Sequence, residues 1–387
     1  MATEGLGDTL EILRTLIAFD TTSRNSNLAL IAWVEDFLAR RGVTTARVLS
    51  DDGAKANLYA VVGPRVAGGV VLSGHTDVVP VDGQAWTSDP WTLTARAGKL
   101  YGRGTSDMKA FIALALAHVD AALAAALKRP IILAFSYDEE VGCLGAPRLI
   151  ADIAAHAPRP AAVIVGEPTS MQVVSGHKGI SVFTVTVDGR EAHSSQTGQG
   201  VSAIMEALSL MSLVAQMGAE AAARVDPASP FEPKSATMTV GMVNGGTASN
   251  ILARRCEFVW DLRCPPGDDP EVYVDRFMAA AAALDAALKA RAREAGVTVT
   301  RRSNTPPLSP VQPGAADALA RALTGDNGLH VASYAAEAGL FQQADFSVVI
   351  CGPGSILQAH QPDEWIEESQ IVEGARFMRG LIERLSA

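Results

Sequence analysis

Gly102-Arg103-Gly104-Thr105-Ser106-Asp107-Met108-Lys109 sets one acidic residue in a glycine turn just before a long apolar segment, Phe111 to Leu127. The turn predicts a junction into a helix over 108–127. Around it, short apolar runs each end in a residue able to hold a cation: Val70–Leu72 before His75, Ile131–Tyr137 before Glu139 and Glu140, and Ala162–Val165 before Glu167. Ligands in open α/β sheets collect beyond strand ends, so these runs read as one sheet with a site along its edge. Asp107 then has two readings. By itself an aspartate ahead of a helix is more commonly an N-cap. Offering one oxygen to each of two cations, it would hold them roughly 3.5 to 4 Å apart, the spacing of two-metal hydrolases.

The flanking chain extends the pattern. Leu10, Leu13, Leu16 and Ile17 have helical spacing until Asp20-Thr21-Thr22-Ser23 breaks it, and a second helix from about Leu28 stops at Gly42. Extended runs at 46–49, 58–62 and 70–72 follow. Strands then alternate with helices (108–127, 144–153), the arrangement of a mostly parallel sheet covered on both faces. After Gly176-His177-Lys178-Gly179 the order becomes strand 182–187, helix 201–217, strands 236–243 and 256–262, helix 270–295 and strand 297–300. That is the βαββαβ order of a ferredoxin-like unit. The Pro-rich stretch 305–310 returns the chain to a helix over 315–323, a strand over 347–351 and a terminal helix from Glu367. The expectation is an α/β protein with a discontinuous catalytic domain, 1–177 and 304–387, and an inserted domain, 178–303.

A chain of 387 residues accommodates two domains. With 32 Lys plus Arg against 42 Asp plus Glu, a net charge of -10 and no long basic run, nucleic acid is not the expected partner. No uninterrupted apolar span reaches the ~20 residues of a membrane helix. Met1–Gly5 carries no basic or apolar leader, which predicts a cytoplasmic protein. Cys143, Cys256, Cys264 and Cys351 lack a CxxC spacing and read as free thiols.

Within Ser73-Gly74-His75-Thr76-Asp77, side chains two apart on extended chain share a side. Asp77 can therefore accept from one ring nitrogen of His75 and leave the other for a metal; a satisfied strand-end histidine is the equal alternative. In Asp138-Glu139-Glu140, neighbouring carboxylates point different ways and can divide cation binding from proton transfer, although a solvated acidic loop is the commoner meaning of such a run. Gly166-Glu167-Pro168-Thr169 adds a strand-end carboxylate. Gly352-Pro353-Gly354-Ser355 can aim backbone N–H groups at an anion or serve as a plain tight turn, and Gln358 to Glu364 supplies His360. His118, His156 and His330 have no comparable setting and read as structural. The third glycine of a dinucleotide loop is replaced by Asp107, and no Gly-x-Ser-x-Gly elbow is present. Taken together, two histidines and three carboxylates as ligands, with one carboxylate left as base, suit zinc; manganese or cobalt would be tolerated.

These motifs, with Gly102 to Lys109, Gly176 to Gly179 and Gly352 to Trp365, resemble the dinuclear zinc amidohydrolases and peptidases of the M20 type, and within them the acetylornithine deacetylases. The resemblance implies that His75, Asp107 and Glu167 hold one zinc and Asp107, Glu140 and His360 the other, with Glu139 as base and a cis peptide at Asp107–Met108. It implies an inserted lid that also forms a homodimer, with His193 of Glu191-Ala192-His193-Ser194-Ser195 reaching a partner subunit's site. Arg263 and the Gly352, Gly354 and Ser355 turn are candidates for the substrate carboxylate, Asn250 assisting by resemblance, and Glu337 is a candidate for a substrate ammonium. The implied reaction is hydrolysis of an N-acyl amino acid, N2-acetyl-L-ornithine to ornithine and acetate in arginine biosynthesis. A succinyl-diaminopimelate desuccinylase, a broader aminoacylase and a non-catalytic metal-binding dimer are the alternatives.

Overall fold

The structure, a computed structural model, describes residues 6–310 and 314–387. The amino-terminal residues used above in the localisation reading lie outside the described residues. The chain divides into two compact units, one of Met1–Gly176, Pro310–His330 and Ala336–Ala387, the other of His177–Ser309 and Val331–Ala335. The return falls later than residue 304 because Leu308 pairs antiparallel with His177. Val331–Ala335 joins the second unit because the Lys178 N–H donates to Ala332 O and the Ser333 hydroxyl to Glu232 O.

The first unit is α/β. Six consecutive strands of its sheet run in the order Thr45–Leu49, Ala56–Val62, Ile131–Ser136, Val70–His75, Ala162–Val165, Val348–Ile350. The last four strands are parallel, whereas the first two pair antiparallel. Ile131–Ser136 and Val70–His75 are buried at every position, as continuous apolar runs require when helices cover both faces. Parallel register brings the carboxyl ends of the strands to one edge: His75 pairs with Ser136, and Ser73 with Val165. That edge carries the predicted ligands.

Helix Lys109–Ala117 is buried from Lys109 to Leu116 and packs against helix Leu6–Ile17 and the terminal helix Glu368–Ser386. The single helix expected over 108–127 is broken at His118, whose Nδ1 bonds Leu114 O at 2.8 Å; Val119–Ala124 continues separately. A small sheet of Trp365–Glu367, Lys99–Tyr101 and Thr94–Arg96 was not foreseen, since three-residue strands carry no periodicity. It matters because Trp365 pairs with Tyr101, which seats Glu364 beside the Gly102 turn.

The second unit is a four-stranded antiparallel sheet in the order Thr237–Gly245, Arg255–Cys264, Gly179–Asp188, Gly296–Thr305, with helices Ala203–Ala222 and Pro270–Arg291. This is the ferredoxin-like order. Strand Arg255–Cys264 alternates between buried and more exposed positions. Its Phe258, Trp260 and Leu262 pack with Phe183, Val185 and Phe277, and Trp260 stacks on Phe183 with ring centroids 4.6 Å apart. No helix among the described residues is long and apolar enough to cross a membrane.

His177 is fully buried, its Nδ1 bonding Lys178 O at 2.9 Å, and burial pushes its pKa down to about 4. Because the folded value lies below the unfolded value of ~6.5, only the unfolded chain takes up this proton between those limits. The stability due to neutral His177 is complete above pH ~6.5 and lost as pH falls towards ~4, on the order of 3 kcal/mol. Urea unfolding across this window is expected to show that loss in the wild type and a flatter profile in His177→Asn.

Candidate metal centre

The His75 ring lies at the end of strand Val70–His75, 1% exposed. Its Nδ1 is 2.9 Å from the backbone carbonyl of Asp77, which can only accept. A neutral ring therefore carries its proton on Nδ1, which leaves Nε2, 2.9 Å from Asp107 Oδ1, as the atom able to hold a cation. The sequence reading assigned that orienting bond to the Asp77 carboxylate, but Oδ1 lies 3.7 Å from Nδ1. The carboxylate instead accepts from the Ser23 hydroxyl at 2.7 Å and from the N–H groups of Glu139 and Glu140 at 3.1 and 3.2 Å. Asp77 therefore holds the acidic loop in place, while its carbonyl orients the ring.

Asp107 faces two histidines with different oxygens. His75 Nε2 is 2.9 Å from Oδ1 and His360 Nε2 is 3.3 Å from Oδ2. Glu167 Oε1 lies 3.7 Å from His75 Nε2, and Glu140 Oε2 lies 3.0 Å from His360 Nε2. Asp107 thus stands between a His75–Glu167 side and a His360–Glu140 side, and the Asp107–Met108 peptide is cis. Met108 shows no side-chain cap at the helix start, so the N-cap reading of Asp107 is not the one observed.

Burial pushes the pKa of Glu167 well above the carboxylate range, and nearby Asp107 adds to it. Burial also raises Glu140, to about 7, with Asp107 adding to the rise. Burial would lower His75, but the bond to Asp107 and the surrounding carboxylates carry it well above its ordinary value; the bonds to Asp107 and Glu140 raise His360 to about 10. Crowded carboxylates of this kind call for compensating cations.

The residues fit such ions. Glu167 Oε1 is buried with no hydrogen-bond partner among the described residues. Ligand atoms of His75, Asp107 and Glu140, and of His75, Glu139 and Glu167, lie within 4.8 Å of one another. The nitrogen and oxygen donor set suits zinc, with manganese and cobalt as substitutes. Proximity places Glu139 with the ligands, but its partners differ: Glu140 meets His360, whereas the Cys143 thiol donates to Glu139 Oε1 at 3.3 Å.

Residues outside the predicted set hold this cluster. Glu364 accepts at Oε1 from the N–H groups of Ser106 and Asp107 at 2.8 and 3.1 Å, and at Oε2 from the Gly104 N–H at 2.9 Å and Arg103 Nη1 at 2.7 Å. Both side chains of the ion pair are 1% exposed. The only signal in the sequence was an acidic residue inside the His360 motif. The Gly352 turn also acts differently from the anion cradle expected. The N–H groups of Gly352, Gly354 and Ser355 donate to Thr169 Oγ1, Gln370 Oε1 and Gln358 Oε1, while Gly352 O accepts from Thr169 and Met171 N–H. The turn therefore buttresses the Glu167 loop, and a Cβ on Gly352 would meet Gly166 O at 2.1 Å.

Glu337, expected near a substrate ammonium, is 1% exposed and accepts from the Ser73 and Ser136 hydroxyls. With its oxygens taken by these two hydroxyls, it ties adjacent strand ends together. In the second unit, exposed His193 has Nδ1 2.9 Å from Ser195 Oγ and pairs with Ile251, and the Ser194 N–H donates to Asn250 O at 2.9 Å. Arg263 Nε donates to Asp261 Oδ2 at 3.0 Å.

Residues 71–384 match the model of peptidase family M20/M25/M40. The chain is 35% identical over 380 residues to an acetylornithine deacetylase of Myxococcus xanthus, covering 95% of this chain and 96% of that protein. It is 34% identical over 392 residues to one of Proteus mirabilis (strain HI4320), covering 97% and 96%. A metallo-carboxypeptidase of the M20 family from Sulfolobus solfataricus has the same fold, with a TM-score of 0.77 at 16% identity over 98% of this chain and 99% of that one.

Removing one member of a buried ion pair costs about 3–5 kcal/mol. Glu364→Gln is therefore expected to lower the unfolding free energy of the metal-free protein by that amount in denaturant titrations. Adding Arg103→Met to Glu364→Gln removes the unpaired buried cation while the amide oxygen still accepts from the backbone, and should recover part of the loss.

Proposed function

The chain belongs to peptidase family M20/M25/M40 and is a metal-dependent amidohydrolase; from this we propose that it hydrolyses N2-acetyl-L-ornithine to L-ornithine and acetate, a step of arginine biosynthesis in the cytoplasm. The observation that carries the substrate is the 34–35% identity, over nearly the whole chain, to two proteins named acetylornithine deacetylase.

In this reading His75, Asp107 and Glu167 hold one zinc ion and Asp107, Glu140 and His360 the other. Such ions polarise an amide carbonyl and lower the pKa of water towards ~7. Glu139 takes the proton of the attacking water and delivers it to the leaving nitrogen. Its position supports that duty: Glu139 lies within the ligand cluster, yet its Oε1 accepts from the Cys143 thiol while Glu140 meets His360. His193 from a partner subunit donates to the developing oxyanion, and Arg263 with Asn250 receives the substrate carboxylate.

A homodimer through the inserted unit completes the proposal. Strand Thr237–Gly245 lies at a sheet edge, and Met205, Leu208, Met242 and Val243 around it are 51–65% exposed. Open edges and clustered apolar side chains favour association.

Metal-reconstituted protein is expected to prefer N-acetylornithine over N-succinyl-diaminopimelate and N-acetylmethionine, with turnover abolished by a chelator. A preference for either other substrate would reassign the enzyme within the amidohydrolases. Glu139→Gln should lower kcat by about 10²–10⁴ at unchanged metal content. Mixing His193→Ala with Glu139→Ala dimers should restore activity; none, despite verified subunit exchange, would refute the shared site.

A further inference from the structure

His360 is the least supported of the candidate ligands. Its side chain is 53% exposed and its backbone is left-handed, with φ of 61°. Packing therefore does little to fix the ring, and the orientation must come from the backbone that carries it. That backbone is tied to the rest of the unit by a glutamine: Gln84 Nε2 donates to His360 O at 3.1 Å.

Gln84 is itself locked. Its Oε1 accepts from Arg103 Nη2 at 2.6 Å and from Trp86 Nε1 at 3.0 Å. Two donors on the oxygen leave the amide only one useful orientation, with its NH2 towards the His360 carbonyl. Arg103 also pairs with Glu364, which accepts the Asp107 N–H. The connection runs Asp107, Glu364, Arg103, Gln84, His360, joining by hydrogen bonds two residues that face each other across 3.3 Å. A second tie, from Thr87 N–H to Asp363 Oδ1 at 2.8 Å, holds the same loop.

We propose that Gln84 is a positioning residue for the metal site, holding the His360 loop against the Asp107 turn so that the His360 side is preformed. The proposal rests on the reading of His360 as a metal ligand. Groups that orient metal ligands typically contribute about 10–100-fold to metal affinity.

The test is a zinc-binding titration of metal-free protein by calorimetry with a competing chelator, on wild type, Gln84→Ala, His360→Ala and the double variant. Gln84→Glu keeps the size and the Arg103 contact but loses the donor, so it serves if the alanine variant does not fold. Gln84→Ala and Gln84→Glu are each expected to weaken, about 10-fold or more, the same ion that His360→Ala weakens, while the other ion is unchanged. In the His360→Ala background the Gln84 substitutions should have no further effect on zinc affinity, the non-additivity of residues acting as a unit. A merely structural role would weaken both ions and persist without His360, overturning the proposal. Unchanged affinity in both Gln84 variants, with His360→Ala weakened, overturns the Gln84 role alone. Unchanged affinity in His360→Ala overturns the ligand reading and the proposal with it.

Discussion

The buried carboxylate of Glu364 is the constraint on which the Asp107 turn depends. Burial pushes its pKa up, and Arg103 with the Gly104 and Asp107 N–H groups acts the other way. An anion enclosed in this way is tolerated only when its lone pairs are met, and here three backbone donors and a guanidinium meet them. The consequence is geometric. A turn with two glycines, which would otherwise sample many conformations, is held in one, and Asp107 stands at its end. The partners are 257 to 261 residues apart in sequence, so this bond network also fixes where the last segment of the chain must lie.

The same logic recurs around the cluster. The Asp77 carboxylate receives two successive N–H groups of the Glu139–Glu140 loop. The Gly352 turn receives those of the Glu167 loop. Glu337 bridges Ser73 and Ser136 on neighbouring strands. Each predicted ligand or base comes from a strand end or the loop beyond it, and each loop is held by a polar group from elsewhere in the unit. Like charges are thereby kept close at a site where they would otherwise separate, which is the condition for binding cations strongly.

The inserted unit follows a different principle. Its core is apolar, built on Phe183, Trp260 and Phe277, and its candidate functional residues sit outside that core. His193 and Asn250 are neighbours through a backbone bond between Ser194 and Asn250, on chain with little burial. Such residues are poorly fixed by packing, which suits groups whose partners lie on another molecule.

By itself the sequence determined most of the elements, their order and the donor types available to a cation. Continuous apolar runs before His75, Glu139 and Glu167 identify buried parallel strands, because only a doubly covered sheet hides every side chain. The order of strands and helices from 182 to 300 gives the βαββαβ unit, and the nitrogen and oxygen donors suit zinc-like ions. What only the tertiary structure decided was the support. That Asp77 orients His75 through its carbonyl, that Gly352 holds the Glu167 loop, and that Glu364 and Gln84 join the Asp107 turn to His360 are all hydrogen bonds between residues distant in sequence or between backbone atoms. Neither leaves a periodicity or a residue type to read: a backbone carbonyl is the same in every residue, and a buried glutamate is spelled like an exposed one until the fold removes its water.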